Sequence, residues 1–158
     1  MKRQANSKHC FVCGVENFNG LQIVFYEDQP GAVRASTTVP GHFQGYPGIV
    51  HGGIIAAMLD EVAGRTIIDT DPPRWMVTAK LSIRYRRPVP VEKPLQLFGT
   101  LKEDSGFLVK TSSEIRDENG AVLAEAEVLL ANVPDQLKDS MARLSQDEWQ
   151  VYSDEAQS

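Results

Sequence analysis

The segment from Pro47 to Glu61 holds the residue types that could do chemistry on a carbonyl group. It begins as a Pro/Gly-rich loop, passes through His51 and a glycine pair, and continues as a helix that carries Asp60. Glycines at a helix start let backbone N–H groups approach a ligand, and these groups have no partner inside the helix. They lie at the positive end of the helix dipole, where an oxyanion is stabilised. A polarising donor and a carboxylate on one short element are what acyl transfer to water requires.

The predicted helix has two different faces when successive residues are placed about 100° apart. One face is large and apolar and is expected to pack on a sheet; it comprises Ile54, Ile55, Met58, Leu59 and Val62. The other face surrounds Asp60 with small residues, which are Ala56, Ala57, Ala63 and Gly64. A solvated face would carry Lys and Glu instead. We therefore expect a second subunit to cover this face, with Asp60 in the crevice between the two copies.

The spacing of His51 and Asp60 supports this expectation. The two residues are nine positions apart, which is roughly 13 Å along a straight helix. They cannot touch within one chain. Two antiparallel helices related by a two-fold axis would bring His51 of one copy beside Asp60 of the other, so the sequence predicts a homodimer with two identical composite sites.

The composition indicates a single domain with a core of its own in 158 residues. The net charge of -5, from 16 Lys and Arg against 21 Asp and Glu, argues against nucleic acid as the main partner. No apolar run is as long as a membrane span, and the first eight residues lack the apolar region of a signal peptide. We expect a soluble cytoplasmic protein without a membrane partner.

Strands dominate the chain on both sides of the predicted helix. Two are expected before it, at residues 21–26 and 32–39, and four after it, at 76–86, 95–101, 107–115 and 122–131. The helix itself is expected at 53–68, ended by the segment from Asp69 to Pro73, and a short helix is expected within the polar tail near 141–144. One long helix with an antiparallel sheet is typical of an α+β domain.

Cys10 and Cys13 are the two cysteines of the chain. Two thiolates are half of a structural zinc site, to which His9 or a second subunit could add ligands. The interpretation adopted here is two reduced thiols in a turn of a cytosolic protein. Metal binding and redox chemistry stay open as alternatives.

The pattern His51-Gly52-Gly53 followed by Asp60 resembles the hotdog-fold acyl-CoA thioesterases of the PaaI-like (phenylacetyl-CoA thioesterase) group. Further stretches resemble the same group, and they are Cys10 to Leu21, Phe43 to Gly53 and Val77 to Pro88. The resemblance implies a hotdog fold, in which a curved antiparallel sheet wraps a long helix, and dimers that often pair into tetramers. It implies hydrolysis of an acyl-CoA to a free acid and CoA, for which neither a cofactor nor a metal is expected.

The resemblance also implies roles for individual residues. Asp60 would be the nucleophile or the general base that activates water, and the backbone N–H of Gly52 would polarise the thioester carbonyl. His51 would orient the site, and Thr78 would help to position the attacking water. Many relatives carry an Asn a few residues before the His; here Gln44 is the nearest candidate for a second donor to the carbonyl.

Other residues are candidates for binding the substrate. Gly53 continues the motif, while Phe43 and Tyr46 could line an acyl pocket. A basic patch that could hold CoA phosphates comprises Lys80, Arg84, Arg86 and Arg87, although a solvated strand face gives the same pattern. Strict alternation along residues 76–86 places Thr78 on the same face as Lys80.

The resulting organisation has three parts: an N-terminal loop with Cys-x-x-Cys at 1–20, a hotdog domain at 21–133 and a polar tail at 134–158. A second function stays open, in which the same fold binds acyl-CoA without turning it over. A third, a dehydratase or hydratase, is disfavoured because its His and acid have a different spacing. The identity of the acyl chain and the choice between nucleophilic and general-base attack also stay open.

Overall fold

The computed structural model describes residues 1–69 and 74–153, within which seven strands form one antiparallel sheet against a central helix. The strands are β1 (Lys2–Arg3), β2 (Phe25–Gln29), β3 (Ala32–Thr38), β4 (Met76–Tyr85), β5 (Pro94–Asp104), β6 (Leu108–Asp117) and β7 (Val122–Asn132). The helices are α1 (Gly52–Gly64) and α2 (Asp135–Glu148). The strand order is β1-β2-β3-β5-β6-β7-β4, which places β4 at one edge. The predicted α+β architecture is confirmed.

The apolar face of α1 packs on the sheet as predicted. Ile55, Met58, Leu59 and Val62 are all buried in the core. The last turn of α1 lies directly on β5, where a Cβ atom at Gly99 would be 2.2 Å from the carbonyl oxygen of Val62. Only glycine allows this approach, and it fixes the height of the helix above the sheet.

The prediction of a small-residue face on α1 is partly wrong. Ala63, expected on this face, is fully buried in the core, because the close approach at Gly99 brings the end of the helix into the sheet. Asp60 and Gly64 are half-buried. The open face is therefore narrower than expected, but it still includes Asp60.

The predicted helix is longer than α1. It was expected to reach residue 68, whereas α1 ends at Gly64 and Arg65–Ile67 form a 3₁₀ turn. The hydroxyl of Thr66 donates to the carbonyl of Ala63 at 2.8 Å, which supports the tighter turn. Of the predicted helix stop at 69–73, residues 70–73 lie outside the described residues.

A β-bulge interrupts β4, so the strict alternation predicted there is wrong. Thr78 pairs with Leu130 and Lys80 with Leu129, two successive residues of β7, and successive side chains in a strand point to opposite faces. Leu130 is buried in the core. Thr78 therefore lies on the helix side of the sheet, and Lys80 lies on the outer side.

The bounds of the strand predicted at 21–26 are also wrong, because only its last two residues belong to a strand. Gln22 has a φ of 51°, which interrupts an extended chain. The N–H groups of Leu21 and Ile23 donate to the carbonyls of Phe11 and Val12 rather than to a neighbouring strand. This segment belongs to the N-terminal loop, and β2 begins at Phe25. The other five predicted strands are confirmed, with small differences at their ends.

The two ends of the described chain meet. The tail forms α2 instead of the short helix predicted near 141–144, and the backbones of Asn6 and Gln150 exchange hydrogen bonds of 2.8 and 3.0 Å. Trp149 packs against the guanidinium of Arg65. In the part of the chain that the structure describes, none of the helices has the length and apolar character that crossing a membrane requires.

Candidate active site

The loop before α1 ends in a histidine cap. His51 is the N-cap residue, and its Nδ1 accepts a hydrogen bond of 2.9 Å from the N–H of Gly53. A neutral His51 in this arrangement carries its proton on Nε2, which remains available to a ligand. The N–H of Gly53 is thereby occupied. No hydrogen bond between described residues uses the N–H of Gly52, so Gly52 presents the available donor at the positive end of the helix.

Tyr85, at the end of β4, fixes the position of Gly52. Its hydroxyl donates to the Gly52 carbonyl at 2.9 Å. Half of the Tyr85 side chain (52%) remains exposed. Tyr85 was not among the predicted site residues, because nothing in an alternating strand pattern indicates that the hydroxyl of a tyrosine reaches a helix start.

A cavity of about 700 Å³ opens beside this helix start. His51, Gly52, Tyr46, Arg86 and Arg87 are among the residues that line it. The structure thus brings together, at one end of α1, five residues selected from the sequence for catalysis or substrate binding. The side chain of Tyr46 is open to solvent, with 81% exposure.

The basic residues near this cavity differ in their partners. Arg86 forms an ion pair with Glu125, and this hydrogen bond raises the pKa of Arg86 and lowers the pKa of Glu125. Arg87 forms no ion pair with any residue in the described ranges. Arg84 lies opposite Glu125 in the β4–β7 pairing and is not among the residues lining the cavity. Arg87 is therefore the better candidate for a phosphate group.

Asp60 lies in the third turn of α1, on the side that faces β4. Its Oδ1 accepts a hydrogen bond of 2.7 Å from the hydroxyl of Thr78. The bulge in β4 makes this contact possible, because it places Thr78 on the helix side of the sheet. The hydroxyl occupies one oxygen of the carboxylate and fixes its orientation.

Asp60 and Thr78 line a second cavity, of about 190 Å³. Arg74, Trp75 and Trp149 also line it, and the two indole rings are 6.1 Å apart in an edge-to-face arrangement. These three residues were not selected from the sequence. Trp149 comes from the distant C-terminal tail, so no local pattern could place it here.

Two other predicted residues lie elsewhere. Phe43 contacts the rings of Phe11 and His42 rather than the cavity at His51. The amide oxygen of Gln44 accepts from the N–H of Gly48 at 3.1 Å, within the loop before α1. Gln44 thus stabilises the loop, and the structure brings neither residue to the two cavities.

The cysteines lie beside α1 rather than in an isolated turn. Cys13 is fully buried, and Cys10 lies with its Sγ 3.7 Å from Oε2 of Glu61. A hydrogen bond from Cys13 lowers the pKa of the Cys10 thiol to about 7, while the same bond and burial raise the pKa of Cys13. His9, considered above as a third ligand, instead lies 3.9 Å from Glu148.

Residues 47–124, which contain the helix start, Asp60 and Thr78, match the family model of the thioesterase superfamily. The chain carries a thioesterase superfamily domain. The crystal structure of another thioesterase superfamily protein is 37% identical, with a TM-score of 0.71, and the match covers 77% of this chain and 62% of that one. The hotdog resemblance is confirmed for the family and the fold.

Two further relatives extend this comparison of the thioesterase superfamily domain. Acyl-coenzyme A thioesterase THEM4 from Mus musculus is 42% identical over 75 residues, which are 48% of this chain and 31% of that protein. A Streptococcus mutans protein crystallised with acetyl-CoA is 22% identical, with a TM-score of 0.65, and the match covers 70% of this chain and 88% of that one. This is a similarity of fold. The chain spans about a third of the length of the curated relatives it matches.

Proposed function

We propose that the protein hydrolyses an acyl-CoA thioester to a free acid and CoA. The observation that carries this proposal is that α1 holds two suitable groups. The N–H of Gly52 is an unused donor at the start of the helix, and the carboxylate of Asp60 accepts a hydrogen bond from the hydroxyl of Thr78. The curated relatives named acyl-coenzyme A thioesterases support the reaction class. The acetyl-CoA held by the related fold supports the class of ligand.

The proposed role of Asp60 is to deliver oxygen to the thioester carbonyl. With Oδ1 held by Thr78, Oδ2 is left to deprotonate a water or to attack the carbonyl carbon itself. Single-turnover hydrolysis in ¹⁸O-labelled water separates these routes. Direct attack expels the CoA thiolate and forms an anhydride between Asp60 and the acyl group; water that opens this anhydride at the Asp60 carboxyl carbon leaves unlabelled product acid and a labelled enzyme carboxylate. General-base attack puts the label into the product acid at once and leaves the enzyme unlabelled.

The proposed role of the helix start is to stabilise the oxyanion. Cleavage of the thioester passes through a tetrahedral intermediate with a negative oxygen, and a preorganised N–H at a helix N-terminus lowers its energy. Because His51 occupies the N–H of Gly53, the donor is the N–H of Gly52. The adjacent cavity, with Arg87 at its wall, would receive the CoA portion.

We further propose that the two halves of the site come from two copies of the chain. His51 and Asp60 line separate cavities, and no hydrogen bond among the described residues joins them. Edge strand β4 carries exposed Val77 (42%) and Tyr85 (52%), and the unpaired backbone groups of an edge strand can pair with a second copy. A two-fold axis beside β4 would set the helix start of one copy against Asp60 of the other.

The test is a panel of aryl, short-chain and medium-chain acyl-CoAs, with release of free CoA followed by chromatography, since a thiol dye would also react with Cys10. We expect turnover of at least one acyl class. Binding of acyl-CoA by calorimetry without turnover of any member would contradict hydrolysis and favour an acyl-CoA-binding module. Addition of water to an enoyl-CoA with the thioester intact would favour a hydratase.

The variant Asp60→Asn keeps the size of the side chain and removes the base. We expect kcat to fall on the order of a hundredfold or more, the typical contribution of a positioned base. The control is Asp28→Asn. Asp28 is paired with Arg34 on the distant β2–β3 ribbon, so this substitution should leave kcat unchanged. Equal kcat values for the two variants would contradict the role of Asp60.

A further inference from the structure

A cluster of metal-ligating groups lies beside the proposed active site and has no part in the proposed hydrolysis. The Sγ atoms of Cys10 and Cys13 and a carboxylate oxygen of Glu61 all lie within 4.8 Å of one another. Within residues 1–69 and 74–153 this is the single group of three or more His, Cys, Asp and Glu ligand atoms at such distances. Glu61 is the residue of α1 that follows Asp60.

The distances suit a small divalent cation. Around tetrahedral Zn²⁺, with bonds of about 2.3 Å to sulfur and about 2.1 Å to oxygen, neighbouring ligand atoms are roughly 3.5–3.8 Å apart. Cys10 Sγ and Glu61 Oε2 are 3.7 Å apart. The three atoms therefore need only side-chain adjustments to share one ion.

The loop that carries the two cysteines is built as a rigid turn. The N–H of Val12 donates to Cys10 Sγ at 3.3 Å, and the N–H of Gly14 donates to the carbonyl of Cys10 at 2.8 Å. A Cβ atom at Gly14 would lie 2.4 Å from that carbonyl oxygen, so the turn requires glycine. N–H donors aimed at a cysteine sulfur favour the thiolate, which is the form that binds metals.

A buried asparagine holds this turn against the rest of the protein. The side-chain amide of Asn6 donates to the carbonyls of Cys13 and Ile23, at 2.8 and 3.0 Å. Asn6 is almost inaccessible to solvent. The sulfur positions are thus fixed by the fold, as a preorganised ligand set requires.

The charges around the cluster also balance. Zn²⁺ bound by two thiolates and one carboxylate carries one net negative charge. Arg65, buried with 2% exposure, contributes the compensating positive charge through its 3.0 Å bond from Nε to Oε1 of Glu61. That bond leaves Oε2 of Glu61 directed at Cys10. Glu61 can therefore bind the metal through Oε2 while its Oε1 accepts the hydrogen bond from Arg65.

We propose that Cys10, Cys13 and Glu61 bind one Zn²⁺ ion, with solvent as the fourth ligand. The ion ties the N-terminal loop to α1 at the residue next to Asp60. This proposal adopts the metal-binding alternative that the sequence left open for the two cysteines. The third protein ligand is then Glu61 of the same chain, and neither His9 nor a second subunit supplies it.

The experiment uses the full chain, reduced with a phosphine, stripped with a chelator and titrated with Co²⁺ and then Zn²⁺. Co²⁺ bound to thiolates gives a sulfur-to-metal charge-transfer absorption, and the chain has no cysteines other than these two, so the band reports on this site alone. We expect one equivalent of Co²⁺ to develop the band and one equivalent of Zn²⁺ to abolish it. Binding of Co²⁺ without the charge-transfer band, or no binding of Co²⁺, would overturn the proposal.

Two variants test the ligands. The double variant Cys10→Ser with Cys13→Ser should lose the band and the stoichiometric Zn²⁺. Glu61→Gln keeps the acceptor for Arg65, and we expect it to weaken Zn²⁺ binding by at least about tenfold, the loss seen when even an outer partner of a metal site is removed. Its control is Glu103→Gln, at an exposed Glu paired with Lys110, which should bind Zn²⁺ as the unmodified chain does.

Circular dichroism checks that each variant is folded. Stoichiometric Zn²⁺ retained by the folded double cysteine variant would overturn the site. Zn²⁺ affinities that are equal for Glu61→Gln and Glu103→Gln would overturn Glu61 as a ligand.

Discussion

At the level of single residues, the proposed chemistry depends on the hydrogen bond from Thr78 to Asp60. A carboxylate on an open helix face is free to rotate, whereas one oxygen of Asp60 is fixed at 2.7 Å from a hydroxyl. The remaining oxygen then has a defined direction. Proton abstraction and nucleophilic attack both depend on such positioning.

Thr78→Val removes the hydroxyl and keeps the shape and the strand preference of the side chain. We expect kcat to fall about tenfold with little change in KM, because a hydrogen bond to a charged group contributes about 1.5–3 kcal/mol and Thr78 is exposed. Steady-state kinetics measure this, and Thr78→Ser, which keeps the hydroxyl, is the control. A Val variant as active as the Ser variant would show that Asp60 works without this bond.

Gly52 can be tested without moving the backbone. Gly52→Pro removes the N–H, and proline is well accepted at the first helical position after an extended residue such as His51, with φ -57° and ψ 137°. We expect kcat to fall roughly a hundredfold, as for loss of one oxyanion donor.

The matched control for that substitution is Gly52→Ala, which keeps the N–H. Its Cβ atom would lie 3.6 Å from the hydroxyl oxygen of Tyr85, an ordinary contact. The proline variant should be much slower than the alanine variant. Equal rates in the two would contradict the assignment of the Gly52 N–H as the donor.

The sequence could predict these residues only in part. His51, Gly52 and Asp60 stand out because glycines and an acid are unusual at those places in an apolar helix. Tyr85, Arg74 and Trp149 carry no such sign, since their contacts depend on how distant elements pack. Glu61 was also missed, because a Glu next to Asp60 on a helix is typical of a solvated surface. Only the structure shows that the N-terminal loop lies against it.

At the level of elements, the distance between α1 and β5 sets the position of the site. Gly99 has no Cβ atom, and the carbonyl of Val62 occupies that space. The end of the helix therefore lies closer to the sheet than ordinary side chains allow. Asp60 reaches Thr78 from this position.

Gly99→Ala should separate the two elements. Its Cβ atom would lie 2.2 Å from a backbone oxygen that cannot rotate away, so we expect the free energy of unfolding to fall by about 1–3 kcal/mol, as for overpacking elsewhere. Urea unfolding followed by circular dichroism measures the loss. Thr100→Ala, at the exposed neighbour on β5, is the control, and equal stability of the two variants would contradict this account of the packing.

The elements themselves show where sequence patterns stop being informative. Periodicity identified α1 and five strands, because the apolar residues that make the core repeat regularly. It failed at residues 21–24, where positive φ at Gln22 and hydrogen bonds to the Cys-x-x-Cys loop replace a strand. It also failed at the bulge in β4, which adds one residue without any glycine or proline to mark it.

At the level of the whole molecule, the two proposed halves of the site line separate cavities of one chain. The larger cavity holds the donor at the start of α1, and the smaller one holds Asp60. Edge strand β4 runs beside both, since Tyr85 and Thr78 belong to it. In the proposed dimer, a second copy paired along this edge would complete two sites at once, and it would account for the small residues on the open face of α1.

The most direct test of this account is a hybrid dimer. One chain carries Asp60→Asn and the other Gly52→Pro, each with a different affinity tag, and the hybrid is isolated after co-expression. With sites shared between copies, one of its two sites has both groups intact, and we predict about half of the wild-type activity per dimer. A hybrid in which one chain carries both substitutions and the other Asp60→Asn should stay inactive. Activity no greater than that of the two parent variants, or a monomer in sedimentation that is fully active, would contradict the shared site.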